Sequence, residues 1–509
     1  MWVQALRSVM RQEENKIAKL NNVIQRLKNN ITRALLKGQD EKAMALMRIL
    51  ARLLYILNQE YKDDMLEDQL FCLIQNLFGE KNYQCDGTSA NGCGQFYEDK
   101  VLFYNGFGSN VRGLSMIYLK ALLQNRQVIY VVNKKIETNV PEVRRLLQQY
   151  HAQTVYLQGN SSVDDSYELK QLIEKERPKH LFLYTTPEDI IGISVFTYFN
   201  FKEINRYQIN LTDHAFWLGV NAFDYCIEFR DYGAYISNEF RGVQTEKLRL
   251  LPYYPIIDYD KEFEGFPFAF DATRQKLVFS GGFLYKTLGA GNLYYQLVRR
   301  MLDTHPEVVF WYAGEGDDSQ LKLLMRDYPG RVYHTQERKD LYQVLRHSYM
   351  YLNTYPMVGG LMFQYAAMAG KVPLTLKYDD CANDCLLRQS DLGVEFDSVE
   401  AFYDEMEKLL SDPEYASRKG DSLKTAVISE IDFEQELEKI MRGEHTKFPI
   451  ALQPVDTISF RKTYLERFQL NDLKEIVVHR FSWKYVFPIF PVITAAGISK
   501  KIVKKICGR

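Results

Sequence analysis

The first hydrophobic pattern along the chain is a seven-residue repeat within its first 37 residues. The repeated positions and their partners are Met10, Ile17, Ile24 and Ile31, with Leu6, Leu20, Leu27 and Ala34. This spacing predicts a coiled-coil helix that Gly38 ends, followed by a second helix that Asp40 caps and that runs towards Phe78. Residues 1–80 are therefore predicted to form an α-helical hairpin. Its apolar seam could pack on itself, on the body of the protein or on a second copy of the chain, and we favour a homo-oligomer.

Beyond residue 95, short apolar segments typical of buried strands alternate with helical patterns, first over residues 95–255 and again over residues 270–445. Such alternation predicts a parallel sheet with helices on both faces. The predicted fold class is therefore α/β, with two doubly wound, Rossmann-like domains after the hairpin. Residues 79–99 are predicted to be a surface loop and residues 252–275 the interdomain linker. The predicted strands are 100–104, 127–132, 154–157, 180–184, 207–211, 223–229, 247–251, 276–280, 308–313, 331–334, 349–354 and 371–376.

Glycine turns follow three predicted strands of the second domain: Gly281–Gly282, Gly314–Glu315–Gly316 and Gly359–Gly360. The last turn opens an alanine-rich helix that ends at Gly370. A strand, a diglycine turn and a helix leave backbone N–H groups at a helix N-terminus, where an anion can bind. Because the carboxyl ends of parallel strands share one edge of a sheet, the three turns predict a ligand crevice there.

A polar pair, Asp213 and His214, follows the predicted strand 207–211 of the first domain. This position, flanked by aromatic residues, suits a general base or a substrate ligand. The alternative is a structural histidine whose ring binds a backbone carbonyl. The turn at Gly106–Gly108 lies at a similar strand end but resembles a dinucleotide-binding fingerprint only weakly, since Val111 stands where a third glycine belongs.

Composition narrows the possible partners. A net charge of −1, with 46% hydrophobic and 25% charged residues, is ordinary for globular protein and gives no reason to expect nucleic acid. The seven cysteines are scattered, which favours reduced thiols in the cytoplasm. Charged residues from Arg7 onward argue against a secretory signal. No Asp-x-Asp motif suited to a metal–diphosphate clamp stands out, so we expect neither a metal nor a cofactor.

Residues 446–509 have a different character. Aromatic residues between Phe481 and Phe490 precede lysines clustered at 500–505, and no acidic residue occurs from His479 to the end. The apolar run is interrupted by prolines and is shorter than the about 20 residues of a membrane span. This composition favours contact with an anionic membrane surface, hence a peripheral location on the inner face of the cell membrane. The alternative is a basic, partly disordered end.

The two consecutive domains resemble the two-Rossmann-domain (GT-B) glycosyltransferases over residues 100–445. The resemblance is carried by Phe279–Gly282 with Lys286, by Trp311–Gly316, and by Gly359–Gly360 with Gln364 and the following Ala366–Pro373 segment. It implies two domains facing a cleft. The C-terminal domain would bind a nucleotide-sugar substrate, expected to be UDP-linked, and the N-terminal domain would bind the acceptor.

On this resemblance, the N–H groups of Gly359 and Gly360 face the diphosphate and Lys286 adds a cation. The other donor-side residues are Gly281, Gly282, Gly314, Glu315, His334 beside the base and Gln364 beside the ribose or sugar.

The resemblance also places His214 at the reacting centre. In an inverting reaction His214 or Asp213 would deprotonate the acceptor hydroxyl, and in a retaining reaction His214 would hydrogen-bond the donor sugar. The acceptor-side residues are Gly106, Gly108 and Asn110.

This chain departs from the family pattern at two places. Many relatives carry two glutamates eight residues apart around the third turn, whereas neither Tyr355–Pro356 nor Gln364–Tyr365 is acidic in this chain. In the first turn, Gly282 stands where relatives have an arginine. The expected function is transfer of a sugar to a lipid-linked glycan acceptor in cell-surface polysaccharide synthesis. The alternatives are a nucleotide-sugar epimerase and a non-catalytic partner subunit that binds an active glycosyltransferase through its N-terminal helices.

Overall fold

The computed structural model describes residues 21–79, 95–108, 113–134, 141–377, 386–387, 392–458 and 461. These residues form two compact units. Unit 1 comprises the described residues up to Glu228 together with Ile236–Arg249, and unit 2 comprises Phe229–Tyr235 and the described residues from Leu250 onward. Each unit is built on a parallel sheet with helices, so the α/β fold class with two Rossmann-like sheets is confirmed.

Three helices open the described chain: α1 (residues 21–35), α2 (Asp40–Leu57) and α3 (Asp64–Phe78). The prediction of one continuous helix up to Phe78 is wrong, because Asn58 adopts a left-handed conformation that ends α2. Asp63 then caps α3 by accepting a hydrogen bond from the Leu66 N–H at 3.0 Å. The first 20 residues of the predicted hairpin lie outside the described residues.

The sheet of unit 1 has the strand order β3-β2-β1-β4-β5-β6-β7, and β1 to β6 pair in parallel. Its strands are β1 (Tyr97–Asn105), β2 (Gln127–Asn133), β3 (Gln153–Leu157), β4 (Pro178–Tyr184), β5 (Asn205–Ile209), β6 (Tyr225–Glu228) and β7 (Leu248–Leu250). The accompanying helices are α4 (Gly113–Asn125), α5 (Pro141–Gln149), α6 (Ser162–Glu176) and α7 (Ile190–Tyr198), and the residues of α8 (Asp231–Glu239) are divided between the two units.

The helix α7 was not predicted from the sequence. Its residues are almost all apolar and several are β-branched, so they lack the polar face that marks a surface helix. Asp189 starts the helix by accepting hydrogen bonds from the Ile191 and Gly192 N–H groups at 3.1 and 3.2 Å. Nearly every residue of α7 is buried, which explains the uniformly apolar sequence.

The N-terminal helices pack against α6 and α7 of unit 1. The Val163 N–H donates to Glu41 Oε2 at 3.0 Å, and the ring of Phe78 meets the edge of Tyr167 at a centroid distance of 5.6 Å. The helices α2 and α3 therefore pack on the body of the protein, and association of the predicted seam with a second copy stays a prediction.

The sheet of unit 2 has the order β10-β9-β8-β11-β12-β13, and every neighbouring pair is parallel. Its strands are β8 (Lys276–Gly281), β9 (Val308–Ala313), β10 (Val332–Thr335), β11 (Met350–Leu352), β12 (Pro373–Leu376) and β13 (Glu395–Phe396). The helices are α9 (Leu293–Thr304), α10 (Ser319–Asp327), α11 (Leu341–Arg346), α12 (Gly360–Met368), α13 (Val399–Ser411), α14 (Pro413–Leu423) and α15 (Glu430–Met441).

Residues 252–275, predicted to be a linker, lie on unit 2. The ring of Phe268 stacks on Tyr333 of β10 at 3.8 Å, and Phe263 stacks on His347 at 4.1 Å. These aromatic contacts attach the segment to the sheet edge and to the end of α11, so it is a packed part of unit 2.

None of the helices in the described part of the chain combines the length and the apolar content of a membrane span. The basic aromatic tail from residue 462 onward lies outside the described residues.

Glu67 on α3 connects the three N-terminal helices (α1 to α3, the helical layer) to the loop that follows β5 by hydrogen bonds. Its Oε1 accepts hydrogen bonds from the Gly219 and Val220 N–H groups at 2.8 and 3.4 Å. Burial outweighs these bonds and raises the pKa of Glu67 from 4.5 to about 7. The folded protein therefore holds this proton over a pH range in which the unfolded chain has lost it.

We expect the Glu67→Gln variant to have a weaker pH dependence of stability. The raised pKa favours the folded state below about pH 4.5, and this advantage is lost as the pH rises through about 7. The unfolding free energy of the wild type should fall relative to that of Glu67→Gln by up to roughly 3 kcal/mol over this range. Urea denaturation at a series of pH values measures it, with exposed Glu60→Gln as the control. A difference between wild type and Glu67→Gln that does not vary with pH would contradict the assignment.

Candidate active site

The carboxyl edge of the second sheet brings together the turns that follow β8, β9 and β11. Leu284 N–H donates to the Glu315 carbonyl at 2.8 Å and joins the first two turns. Met357 N–H donates to the Lys286 carbonyl at 3.2 Å and joins the first turn to the third. The three turns therefore form one continuous backbone surface, which we call the turn surface.

The first two turns approach each other so closely that there is no room for a side chain at Gly314. A Cβ on Gly314 would lie 1.8 Å from the Gly282 carbonyl oxygen. Gly282 has a φ of +131°, and its N–H donates to the Ala313 carbonyl at 3.0 Å. Gly281 ends β8 and is buried. Glycine at 282 and 314 is therefore required by backbone conformation and by close approach, respectively.

Asn353, immediately after β11, organises the third turn. Its Oδ1 accepts hydrogen bonds from the Thr354 and Gly359 N–H groups, both at 2.9 Å. Sequence reasoning expected the Gly359 N–H to face a diphosphate, and the structure instead pairs it with this buried side chain. An asparagine at the start of a turn is the sequence signal that could have indicated this role.

The helix α12 begins with backbone donors that remain available. Gly359 is the residue before the helix, and its carbonyl accepts from the Phe363 N–H at 3.0 Å. The N–H groups of Gly360, Leu361 and Met362 meet no acceptor in the part of the chain that the structure describes. Leu361 is 37% exposed, so solvent reaches this end of the helix. A helix N-terminus carries about half a positive charge and suits a phosphate group.

The remaining donor-side residues lie in the first two turns and on β10. Lys286 lies half-exposed on a short 3-10 turn within the turn surface, and Glu315 is exposed in the second turn. His334 on β10 binds the Gly314 carbonyl through Nε2 at 2.9 Å, so Nε2 carries the proton in this bond. His334 thereby supports the second turn.

Gln364, which was expected beside the ribose or the sugar, has one end of its amide bound within unit 2. The side chain is 1% exposed on α12, and its Nε2 donates to the Tyr253 carbonyl at 2.8 Å. The neighbouring Tyr365 hydroxyl donates to the Ile256 carbonyl at 2.9 Å. The two side chains attach the segment around residue 254 to α12, which is a structural role.

In unit 1, Asp213 and His214 lie together just after β5. His214 Nδ1 is 3.2 Å from Asp213 Oδ1. The Asp213 side chain is buried and that of His214 is 24% exposed. If Nδ1–H donates to the carboxylate, the lone pair is on Nε2, the tautomer that a general base requires.

The turn after β1 is closely packed against the start of α7. A Cβ on Gly106 would lie 2.0 Å from Asp189 Oδ2, which also accepts a hydrogen bond from the Thr185 hydroxyl at 2.8 Å. Burial raises the pKa of Asp189. Gly108 has a φ of +74°, and Asn110 lies outside the described residues.

Sequence reasoning did not find the buried charges beneath the His214 loop. Glu228 ends β6 and accepts hydrogen bonds from Asn210 Nδ2, at 2.9 and 3.0 Å, and from the Ser237 hydroxyl at 2.5 Å. The guanidinium of Arg241 donates to the same Ser237 oxygen at 3.1 Å. Burial raises the pKa of Glu228 and lowers that of Arg241. An acidic residue at the end of an otherwise apolar strand is the signal that could have been used.

Across the described ranges, no group of three or more His, Cys, Asp and Glu side chains is arranged to hold a metal ion.

No protein-family model matches this chain, and no curated protein matches it in sequence. Among solved structures, a mutant of the O-GlcNAc transferase of Thermobaculum terrenum is similar, with a TM-score of 0.50 and 13% identity over 87% of this chain and 84% of that one. A glycosyltransferase of Rickettsia africae has a TM-score of 0.50 and 8% identity over 69% of this chain and 98% of that one. At these identities the similarity establishes the fold, and the GT-B fold indicated by the sequence is confirmed.

Removing the Asn353 side chain tests how the third turn is built. In Asn353→Ala, two buried N–H groups lose their acceptor, and we expect a loss of roughly 1–3 kcal/mol of stability. Asn353→Asp keeps an oxygen at the same place and should stay closer to the wild type. Urea denaturation of the three proteins measures the difference. If Asn353→Ala is as stable as Asn353→Asp, the side chain does not hold the turn.

Proposed function

We propose that this protein is a glycosyltransferase that moves a hexosyl group from a UDP-sugar to a glycan acceptor. The observation that carries the proposal is the helix start at Gly360–Met362, whose three N–H groups lie within the turn surface of a GT-B fold. These donors match the charge and size of a diphosphate. Both similar structures described above are named as transferases, one of them for GlcNAc, which supports the same activity here.

The chemistry follows from the charge that the leaving group gains. When the bond between the sugar C1 and the UDP oxygen breaks, negative charge grows on the diphosphate. Fixed N–H groups at a helix start stabilise that charge without reorganising, and the Lys286 ammonium would add to this effect. In this proposal these groups provide the stabilisation, and no metal ion is required.

Unit 1 would bind the acceptor. In an inverting reaction, the acceptor hydroxyl oxygen forms a bond to C1 while His214 Nε2 takes the hydroxyl proton. The Asp213 carboxylate, 3.2 Å from Nδ1, would stabilise the imidazolium that results. In a retaining reaction, His214 would hydrogen-bond the donor sugar instead.

The acceptor we favour is a glycan carried on a lipid, used in cell-surface polysaccharide synthesis. The composition of residues 479–509, with seven basic and no acidic residues, supports contact with an anionic membrane. A peripheral position on the inner face of the membrane would bring the enzyme to such an acceptor.

The direct test is UDP release. The full chain is incubated with a panel of UDP-sugars, with and without a membrane lipid extract, and both UDP and the sugar products are measured. Acceptor-dependent UDP release supports the proposal. Interconversion of UDP-sugars without an acceptor would identify an epimerase, and neither activity, with any UDP-sugar tested, would favour a non-catalytic partner subunit.

The Gly360→Pro variant tests the helix start. Proline is tolerated at the first position of a helix, so the fold should be kept while one donor is removed. Loss of a hydrogen bond to a charged oxygen should weaken UDP binding about tenfold or more, measured by calorimetry. Val399→Pro makes the same change at the first position of α13. This helix follows β13, which is the second strand from β11 in the sheet. UDP affinity unchanged in Gly360→Pro, or lowered equally in Val399→Pro, would contradict the proposed site.

Replacing His214 by alanine tests the proposed base. Loss of a general base should lower kcat by about 100-fold or more while the affinity for UDP stays within a factor of two or so. Steady-state UDP release and calorimetry give the two quantities. Full turnover in His214→Ala would remove this residue from the mechanism.

A further inference from the structure

The loop that carries His214 is held by its carbonyl oxygens. Arg241 Nη2 lies 3.3 Å from the Thr212 carbonyl oxygen, 2.9 Å from that of Asp213 and 2.6 Å from that of Ala215. Asn58 Nδ2 donates to the carbonyl of His214 itself at 3.0 Å. Four consecutive peptide carbonyls are therefore bound by two buried side chains.

Regular secondary structure does not fix this part of the chain. Residues 210–224, between β5 and β6, form neither helix nor strand. The peptide planes of such a loop are oriented by the side chains that bind them. Since each peptide unit is planar, fixing the carbonyls on both sides of the His214 Cα limits the direction of its side chain.

Arg241 is well placed to act as a fixed support. It is fully buried, and its guanidinium lies over the rings of Trp217 at 4.8 Å and Tyr61 at 5.4 Å. Its second terminal nitrogen, Nη1, donates to Ser237, which in turn donates to the buried Glu228. The stacking and the nearby carboxylate hold the guanidinium in one orientation, and its planar donors reach several carbonyls at once.

Asn58 brings the N-terminal helices into the same support. It has a φ of 44° at the break between α2 and α3 and is completely buried. Glu67, on α3, binds the N–H groups of Gly219 and Val220 farther along the same loop. The helical layer thus contacts the loop at two separate points.

We propose that Asn58 and Arg241 are positioning residues, which orient His214 for proton transfer by binding the carbonyl groups of residues 212–215. This inference rests on the proposed function, because it assumes that His214 acts in the transfer reaction. It also gives the N-terminal helices a part in activity that the sequence did not indicate.

The first pair of variants removes the amide of Asn58 with little change to the backbone. Glycine readily adopts a positive φ, so Asn58→Gly keeps the helix break and deletes only the side-chain donor. The matched control is Asn292→Gly, because Asn292 also has a positive φ, of 60°, and makes no side-chain capping bond at the start of α9.

The second pair of variants compares two buried arginines. Arg241→Lys keeps the positive charge but cannot reach all the carbonyls that the guanidinium binds. Arg206→Lys is the control, because Arg206 is equally buried but binds the Phe196 carbonyl and two residues at the far end of the loop, Asn221 and Asp224. Both lysine variants should lower the melting temperature, so the loss of stability alone does not separate them.

Two measurements are made on every variant. Hydrogen exchange followed by mass spectrometry reports the protection of residues 211–218, the part of the loop that carries His214 and that Arg206 does not contact. Steady-state UDP release gives kcat and the donor KM. In Asn58→Gly and Arg241→Lys we expect faster exchange in this loop and a kcat lower by about 10-fold to 100-fold, with the donor KM within about threefold. The two control variants should keep the exchange of the loop and a kcat within about threefold of the wild type.

The outcomes separate this inference from the proposed function. If exchange of residues 211–218 in Asn58→Gly and Arg241→Lys equals that in their controls, the two residues do not position the loop. If exchange rises but kcat falls no further than in the controls, positioning of His214 for catalysis is overturned. If His214→Ala keeps full turnover, the base assigned in the proposed function fails, whatever the exchange data show.

Discussion

The proposed chemistry depends on how the backbone hydrogen-bonding groups are used where parallel strands end. In unit 2, the Gly282, Gly314 and Gly359 N–H groups all bind acceptors at or just after the ends of strands of the sheet. That pairing fixes the turns, while the N–H groups at the start of α12 meet no acceptor among the described residues. The diphosphate binding that we propose would therefore take place on turns that their own hydrogen bonds already hold in position.

In unit 1, side chains bind the carbonyl groups around His214. Between β5 and β6 it is the carbonyl oxygens that are bound, by a guanidinium and an amide from the interior. Burying the positive charge of Arg241 is costly unless a negative charge lies nearby. The Glu228 carboxylate provides that charge and is itself hydrogen-bonded by Asn210, Cys226 and Ser237. The pair of buried charges therefore belongs to the support of the loop, although neither residue is near enough to solvent to meet a substrate directly.

The fold was largely predictable because most strands of both sheets contain a short apolar run, and because glycine turns and helical patterns separate these runs. Where the structure differed, a tertiary contact decided the outcome. The helix α7 is apolar on every side because it is buried, and the break at Asn58 depends on one backbone angle. In the site, the glycine turns were found from spacing alone. The hydrogen bond from Gln364 Nε2 to the Tyr253 carbonyl could not be predicted, since it depends on which backbone atom the side chain reaches in three dimensions.

The residue at the break between α2 and α3, Asn58, makes the N-terminal helices part of the unit that contains the first Rossmann-like sheet. A truncated protein that started at residue 95 would retain all seven strands, yet the His214 carbonyl and the Gly219 amide would lose the partners they have on the helical layer. Unit 1 thus includes the helices that precede its first strand. During synthesis, the helices leave the ribosome first and are already present when the loop that needs them emerges.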